Sequence, residues 1–309
     1  MSGPLRTDDI PPVPEPSDEV SRPVLQLEAS RTSTVGHLQV RRALPRRGRR
    51  TLGAWCFVDH MGPARTDGGV DTGIGPHPHI GLQTVTWLVA GELRHLDSLG
   101  SDQVIRPGQL NLMTAGAGVA HAEEGTGRPV ELHGVQLWVA QPDATRHGAP
   151  AFEHHAELPR VELEQGVATI LVGHLLGASS PARRDTDHIG VDLDLRAGRS
   201  VVPLDRRAEH GLVVVEGVVT IEGTPVEPGH LAYLGEGRDE LALDAPGPAR
   251  ALLLGGLPFE SPVLMWWNFV GRARDEVEEA ADAWNRSDAR FGTVASSLAR
   301  IPAPPPPWR

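Results

Sequence analysis

The sequence predicts an all-β chain of two tandem small β-barrels followed by one short helix. Three observations carry this. Gly (35) and Pro (28) make up about a fifth of the 309 residues, against a usual ~12%. Helix interiors tolerate neither residue well, so the excess belongs to many short strands joined by turns. Short β-branched and Leu-rich runs alternate with this punctuation twice, over residues 24–142 and again over 161–257. The two stretches also share a skeleton: Val89-Ala90-Gly91 then Arg106-Pro107-Gly108, and Val215-Glu216-Gly217 then Glu227-Pro228-Gly229. A strand, a glycine turn, a returning strand and a Pro-Gly turn outline a small barrel, and the recurrence reads as an internal repeat.

Taken in order, residues 1–23 are acidic and Pro-rich, which predicts a disordered lead-in. Residues 24–145 make the first barrel, and 161–270 the second. Between them, 146–160 is rich in His, Pro and Ala and reads as a linker. In the closing segment 271–309, Val277, Ala280, Ala281 and Trp284 fall at helical spacing behind acidic residues that start near Asp275. The Pro-rich tail is expected to be extended, either solvated or docked.

Composition excludes several functions. The single cysteine, Cys56, rules out an intrachain disulfide framework and a cysteine-only zinc site, and makes a reducing cytoplasm the expected location. All 29 basic residues are Arg, so neither Schiff-base chemistry nor a P-loop lysine is available. The formal net charge of -11 argues against direct nucleic-acid or anionic-membrane binding. The amino-terminal residues lack a secretion-signal pattern, and no apolar run approaches the ~18 residues of a membrane span.

One constellation carries chemistry. Gly75-Pro76-His77-Pro78-His79 is followed, 44 residues after His77, by His121-Ala122-Glu123 behind a Gly-Ala-Gly turn. Residues two apart on a strand share a face, so His77 with His79, and His121 with Glu123, project as pairs. Chance alone gives roughly 0.6 His-x-His pairs in a chain of this composition, so the joint pattern, and not the first pair, makes the case. Three imidazoles and a carboxylate suit one divalent transition metal, with iron(II) favoured and Mn, Ni, Co and Cu also accepted.

The order His-x-His, strand, Gly turn, Pro-Gly, second His resembles the cupin double motif. The wording from His77 to Glu124, with Phe57–Pro63 upstream, 133–139 downstream, and Met265-Trp266-Trp267-Asn268-Phe269-Val270 and Arg290-Phe291-Gly292 near the end, resembles the pirin family. That resemblance implies a bicupin fold, two double-stranded β-helix barrels, with metal in the first only. It implies His77, His79, His121 and Glu123 as ligands. The family usually has Glu where this chain has Gln83. Gln83 is odd-numbered like His77 and His79 on what reads as one strand, so it is expected to face the pocket, either tuning the metal or simply hydrogen-bonding. His60, His95 and His133 are further candidates for the pocket, with a structural role favoured for each. Cys56 is expected to be buried and inert, and Trp266-Trp267 to be packing. In the second barrel, alignment of the glycine turns sets Pro203, Asp205, Ala242 and Asp244 against the four ligands, leaving no imidazole there.

The resemblance implies two functions of different kinds. One is a quercetin 2,3-dioxygenase, taking a flavonol-like aromatic substrate and O₂, with Glu123 as the catalytic base and an apolar wall near Val85, Trp87 and Leu137. The other is an iron-dependent regulatory protein acting on a transcription factor or metabolic enzyme through a protein partner. A monomer is expected, because the two repeats can pack against each other.

Overall fold

The computed structural model describes residues 24–36, 38–69 and 73–308; the predicted lead-in over 1–23 lies outside them. Among the described residues, strands dominate and one α-helix is present, Arg274–Asn285. Among these residues no helix is long and apolar enough to cross a membrane.

Each half is a sandwich of a seven-stranded and a four-stranded antiparallel sheet. In the first half the large sheet runs, edge to edge, Ala151–His155, Leu110–Thr114, Leu82–Ala90, Val130–Ala140, Trp55–Thr66, Leu38–Leu44, Arg31–Val35. Its small sheet runs Gly73–His79, Val119–Glu124, Leu93–Asp97, Asp102–Ile105. The second half repeats the plan. Gln26–Ala29, His230–Gly235, Glu209–Glu216, Ala249–Gly256, His188–Leu195, Gly166–Val172 and Arg160–Leu163 form the large sheet.

Two boundaries differ from the sequence reading. Gln26–Ala29 pairs with His230–Gly235 of the second barrel, not with its own half. The expected linker contains a strand, Ala151–His155, that closes the edge of the first barrel against Leu110–Thr114. Unpaired edges expose hydrogen-bonding groups, and chain crossing between the halves covers both.

The two large sheets pack face to face. Val58, Val85, Trp87, Leu112, Val135 and Leu137 of the first meet Val213, Val215, Leu231, Leu252 and Leu254 of the second in one buried cluster. Trp55 crosses the seam and donates its Nε1–H to the carbonyls of Ile189 (3.0 Å) and Gly255 (3.2 Å). Val85, Trp87 and Leu137 therefore line the seam between barrels, which corrects their expected place on the active-site wall. The cause is strand alternation: their neighbours Thr86 and Gln136 point the other way, into the first barrel.

The helix buries Val277, Ala280, Ala281 and Trp284 as its spacing predicts. The Pro-rich tail docks against it. Trp284 Nε1 donates to the Ile301 carbonyl (2.8 Å), and Asn285 exchanges two bonds with Ala303. Ile301 N then donates to the Pro76 carbonyl (2.9 Å), so the tail covers the exposed edge of Gly73–His79.

Candidate metal centre

Antiparallel pairing of Gly73–His79 with Val119–Glu124 sets His77 opposite His121 and His79 opposite Val119. The three imidazoles of His77, His79 and His121 are buried, and one ligating nitrogen from each lies within 4.8 Å of the others. His79 Nε2 and His121 Nε2 are 3.0 Å apart.

Hydrogen bonds fix which nitrogen of each ring is free. His77 Nδ1 donates to the Gly75 carbonyl (2.9 Å), and His79 Nδ1 to the Asn268 carbonyl (2.9 Å). A carbonyl can only accept, so both rings carry their proton on Nδ1 and keep an Nε2 lone pair. For His121 the partner is a side chain. His121 Nδ1 lies 3.5 Å from His95 Nδ1, and His95 Nε2 lies 3.0 Å from Asp97 Oδ2. With His95 Nε2–H given to the carboxylate, His95 Nδ1 accepts from His121 Nδ1–H, and His121 Nε2 is also left free. Asp97 is itself held by the amides of Leu99 (2.9 Å) and Ser101 (3.0 Å). Burial alone would raise the Asp97 carboxyl, but hydrogen bonds from His95 and Ser101 hold it below its usual value.

Burial keeps the three rings neutral. It pushes His77 down to about 4, with a Gly75 bond opposing. It pushes His79 and His121 well below 6.5, and the neighbouring imidazoles add to this. Three neutral, buried rings with converging lone pairs are the donor set a borderline divalent ion requires, so the residues present fit such an ion.

Glu123 lies one bulge beyond His121 and lines the same cavity, outside the group of three imidazoles. Burial raises its carboxyl above the ordinary value, against the pull of His95.

The cavity has a volume of about 560 Å³ and reaches from the imidazoles to the surface. Phe57 and Trp138 stack in its wall (centroids 4.1 Å, 14° between planes), and Trp138 also meets His79 edge-on at 5.1 Å. Met265, Trp266 and Trp267 line it from the hairpin Leu264–Trp266/Phe269–Gly271, so Trp266 and Trp267 do more than pack. Trp267 sits at φ 52° in the hairpin turn, a left-handed conformation disfavoured for a bulky residue. That turn delivers the Asn268 carbonyl to His79. Ile301 of the tail completes the lining.

Three candidates fall elsewhere. The strand carrying His79 ends at that residue, and Gly81 then turns the chain at φ 65°. Gln83 therefore lies in a different strand, Leu82–Ala90, and shares the Val85/Trp87 face. It is fully buried, donates to Thr114 Oγ1 (3.0 Å) and leaves its Oε1 without a partner. It does not line the cavity, so the expectation that it faces the pocket is corrected. His60 and His133 also lie outside the cavity lining. Their Nε2 atoms meet at 2.8 Å, and His133 Nδ1 pairs with Glu216 Oε1 of the second barrel at 3.0 Å. Cys56 is buried, and burial pushes its thiol up to about 12.

Sequence reasoning undervalued His95 and missed Asp97. The signal was present as His95-Leu96-Asp97, two polar residues two apart on a returning strand. Asn268 had no such signal, because it acts through its backbone.

In the second barrel the aligned positions are out of phase. Asp244 is exposed, whereas Val202, Leu241 and Leu243 belong to the packed apolar core. The alignment therefore named positions other than those this barrel turns to its core.

Comparison with known proteins places the chain. The pirin family profile matches residues 37–139, and the pirin C-terminal cupin domain profile matches 190–292. A Pseudomonas aeruginosa protein named as a candidate quercetin 2,3-dioxygenase is 48% identical over 290 residues, 93% of this chain and 92% of its own. The chain belongs to the pirin family. A second pirin-like protein, from Caulobacter vibrioides, is 34% identical over 263 residues, 82% of this chain and 91% of the relative. The crystal structure of a quercetin 2,3-dioxygenase from Acinetobacter baumannii superposes with a TM-score of 0.89 at 41% identity, covering 92% of this chain and 96% of that one. The pirin architecture accounts for the two cupin barrels.

Proposed function

We propose that this pirin is a metal-dependent dioxygenase of the quercetin 2,3-dioxygenase type, acting on a flavonol. The observation that carries the reading is the convergence of three neutral imidazoles at the inner end of an aromatic-walled cavity of about 560 Å³, room for a flat polycyclic molecule. The names borne by the Pseudomonas and Acinetobacter relatives support it.

His77, His79 and His121 would hold the ion through Nε2, with Glu123 as the fourth ligand and iron(II) as the metal. A divalent ion there supplies Lewis-acid stabilisation of an ionised substrate oxygen and a partner for O₂ chemistry. The side chains do the rest. Phe57, Trp138, Trp266 and Trp267 present ring faces and edges that orient a planar substrate. Met61 and Met265 extend the apolar wall that keeps water from the reacting centre. Released from the ion, Glu123 would accept the flavonol 3-hydroxyl proton as general base; burial raises the proton affinity of its uncoordinated carboxyl. The ionised flavonol is then electron-rich enough to take up O₂. Both oxygen atoms enter the product, the central ring opens, and one ring carbon leaves as carbon monoxide.

The test measures bound metal and oxygen uptake on the same preparation. About one ion per chain and quercetin-dependent O₂ loss, both abolished in His121→Ala, is the expected result. Stoichiometric metal without uptake would move the reading to a regulatory role.

A further inference from the structure

We infer that the cavity selects a planar aromatic substrate bearing a carboxylate, received at the outer rim by Arg31 and Arg50; this rests on the cavity being the substrate site proposed above. The chain carries a net charge of -11, yet the charged side chains lining this cavity are Arg31, Arg42 and Arg50 against Asp59 and Glu123. An anion is repelled by the molecule as a whole and attracted by this lining, where guanidinium groups outnumber carboxylates.

The three arginines are not equivalent. Arg42 forms a fork with Asp59, Nε to Oδ1 at 2.7 Å and Nη2 to Oδ2 at 2.6 Å, and lies 4.4 Å over the Phe57 ring. Its charge is answered, and it serves as part of the wall. Nearby, Arg46 and Arg49 both pair with Glu28. Arg31 and Arg50 make no hydrogen bond or ion pair among the described residues, and both are exposed. Arg31 still pulls the Asp59 carboxyl downward through space, against the burial that raises it, so its field reaches into the cavity.

The cavity therefore has two differently charged ends. The imidazoles and Glu123 are buried, whereas the two unanswered guanidinium groups are exposed, and Phe57, Trp138, Trp266 and Trp267 line the same cavity. A guanidinium fork matches a carboxylate in two parallel hydrogen bonds. The ligand that fits has a metal-seeking hydroxyl-ketone at one end, a flat aromatic body, and a fixed anion at the other.

The experiment uses the full chain loaded with Ni(II) under anaerobic conditions, so that no turnover occurs. 3-Hydroxyflavone 4′-carboxylate is titrated against its neutral isostere, the 4′-carboxamide, with tryptophan fluorescence as the readout. At low salt the carboxylate is expected to bind about tenfold tighter, a preference that falls below about threefold in Arg31→Gln/Arg50→Gln and on raising salt, while amide affinity stays constant. Both residues are exposed, so the double variant is expected to melt with the wild type. Equal affinity for the two compounds, binding of neither, or a preference surviving in the double variant overturns the inference. Oxygen uptake with quercetin separates the two readings. Uptake without a carboxylate preference removes this inference alone, and a preference without uptake removes the dioxygenase and leaves the selectivity.

Discussion

The Nδ1 atoms of His95 and His121 lie 3.5 Å apart, with Asp97 closing the chain of contacts 3.0 Å behind His95. Of the three clustered imidazoles, His121 is oriented by another side chain and the other two by carbonyls. Its free Nε2 lone pair thus depends on a residue two strand positions from a buried carboxylate.

His95→Phe keeps the ring that stacks on Phe152 at 4.4 Å and removes the acceptor for His121 Nδ1–H. Affinity for Ni(II) or Co(II), read by calorimetry, should fall about 10–100-fold, the usual cost of losing an outer partner of a metal ligand. The far-ultraviolet spectrum should not change. Unaltered affinity would show that His121 needs no such support.

Gln83→Met tests the reassignment of Gln83. The side chain lies on the seam face, so metal affinity and turnover should stay within about twofold. The melting temperature should move only slightly, since one hydrogen bond is lost together with one unpartnered oxygen. A tenfold change in metal affinity would return Gln83 to the site.

Leu137→Ala should destabilise the fold by about 2–5 kcal/mol in urea titration, because it opens a void in the buried seam between barrels. Metal affinity measured on the folded fraction should be untouched. A loss of metal with no loss of stability would contradict the placement of this face.

Metal-free protein should lose stability on mild acidification. Burial lowers His60 to about 3 and His77, His188 and His210 to about 4, with His79 and His121 also well below 6.5. Between pH 6.5 and about 4 the unfolded chain binds protons that the folded rings refuse, so stability falls as pH falls, by up to roughly 1.4 kcal/mol per unit for each ring. Buried Asp59, Glu123 and Asp192, whose carboxyls are raised by burial, act in the opposite sense but are fewer. The urea midpoint at pH 5.0 should lie below that at pH 7.5, and equal midpoints would refute the balance.

Truncation after Gly292 should strip the cover from the Gly73–His79 edge, where Ile301 N meets the Pro76 carbonyl. That strand carries two of the three clustered imidazoles, so Ni(II) affinity is expected to drop about tenfold or more, together with the melting temperature. Calorimetry on the truncated chain that returns full-length affinity would limit the tail to a packing role.

The sequence by itself determined the strand-rich architecture, the repeat, the helix stripe and the convergence of His77, His79 and His121. These follow from local rules: the punctuation of Gly and Pro, the two-residue period of a strand and the 3.6-residue period of a helix. Tertiary structure alone decided which face each strand turns to the cavity. Gln83 shares the odd numbering of His77 and His79, but the Gly81 turn between them starts a new strand in another sheet and resets the phase. Strand alternation in the large sheet likewise turned His60, His133, Val85 and Leu137 to the seam, and in the second barrel it turned Val202, Leu241 and Leu243, not the aligned positions, to the core. The outer supports of the centre were equally hidden. Asn268 reaches His79 from 189 residues away, Ile301 reaches Pro76 from the tail, and Gln26–Ala29 crosses to the far barrel. Local periodicity carries no information about such contacts, because they are set by how the two sheets and the closing segment pack.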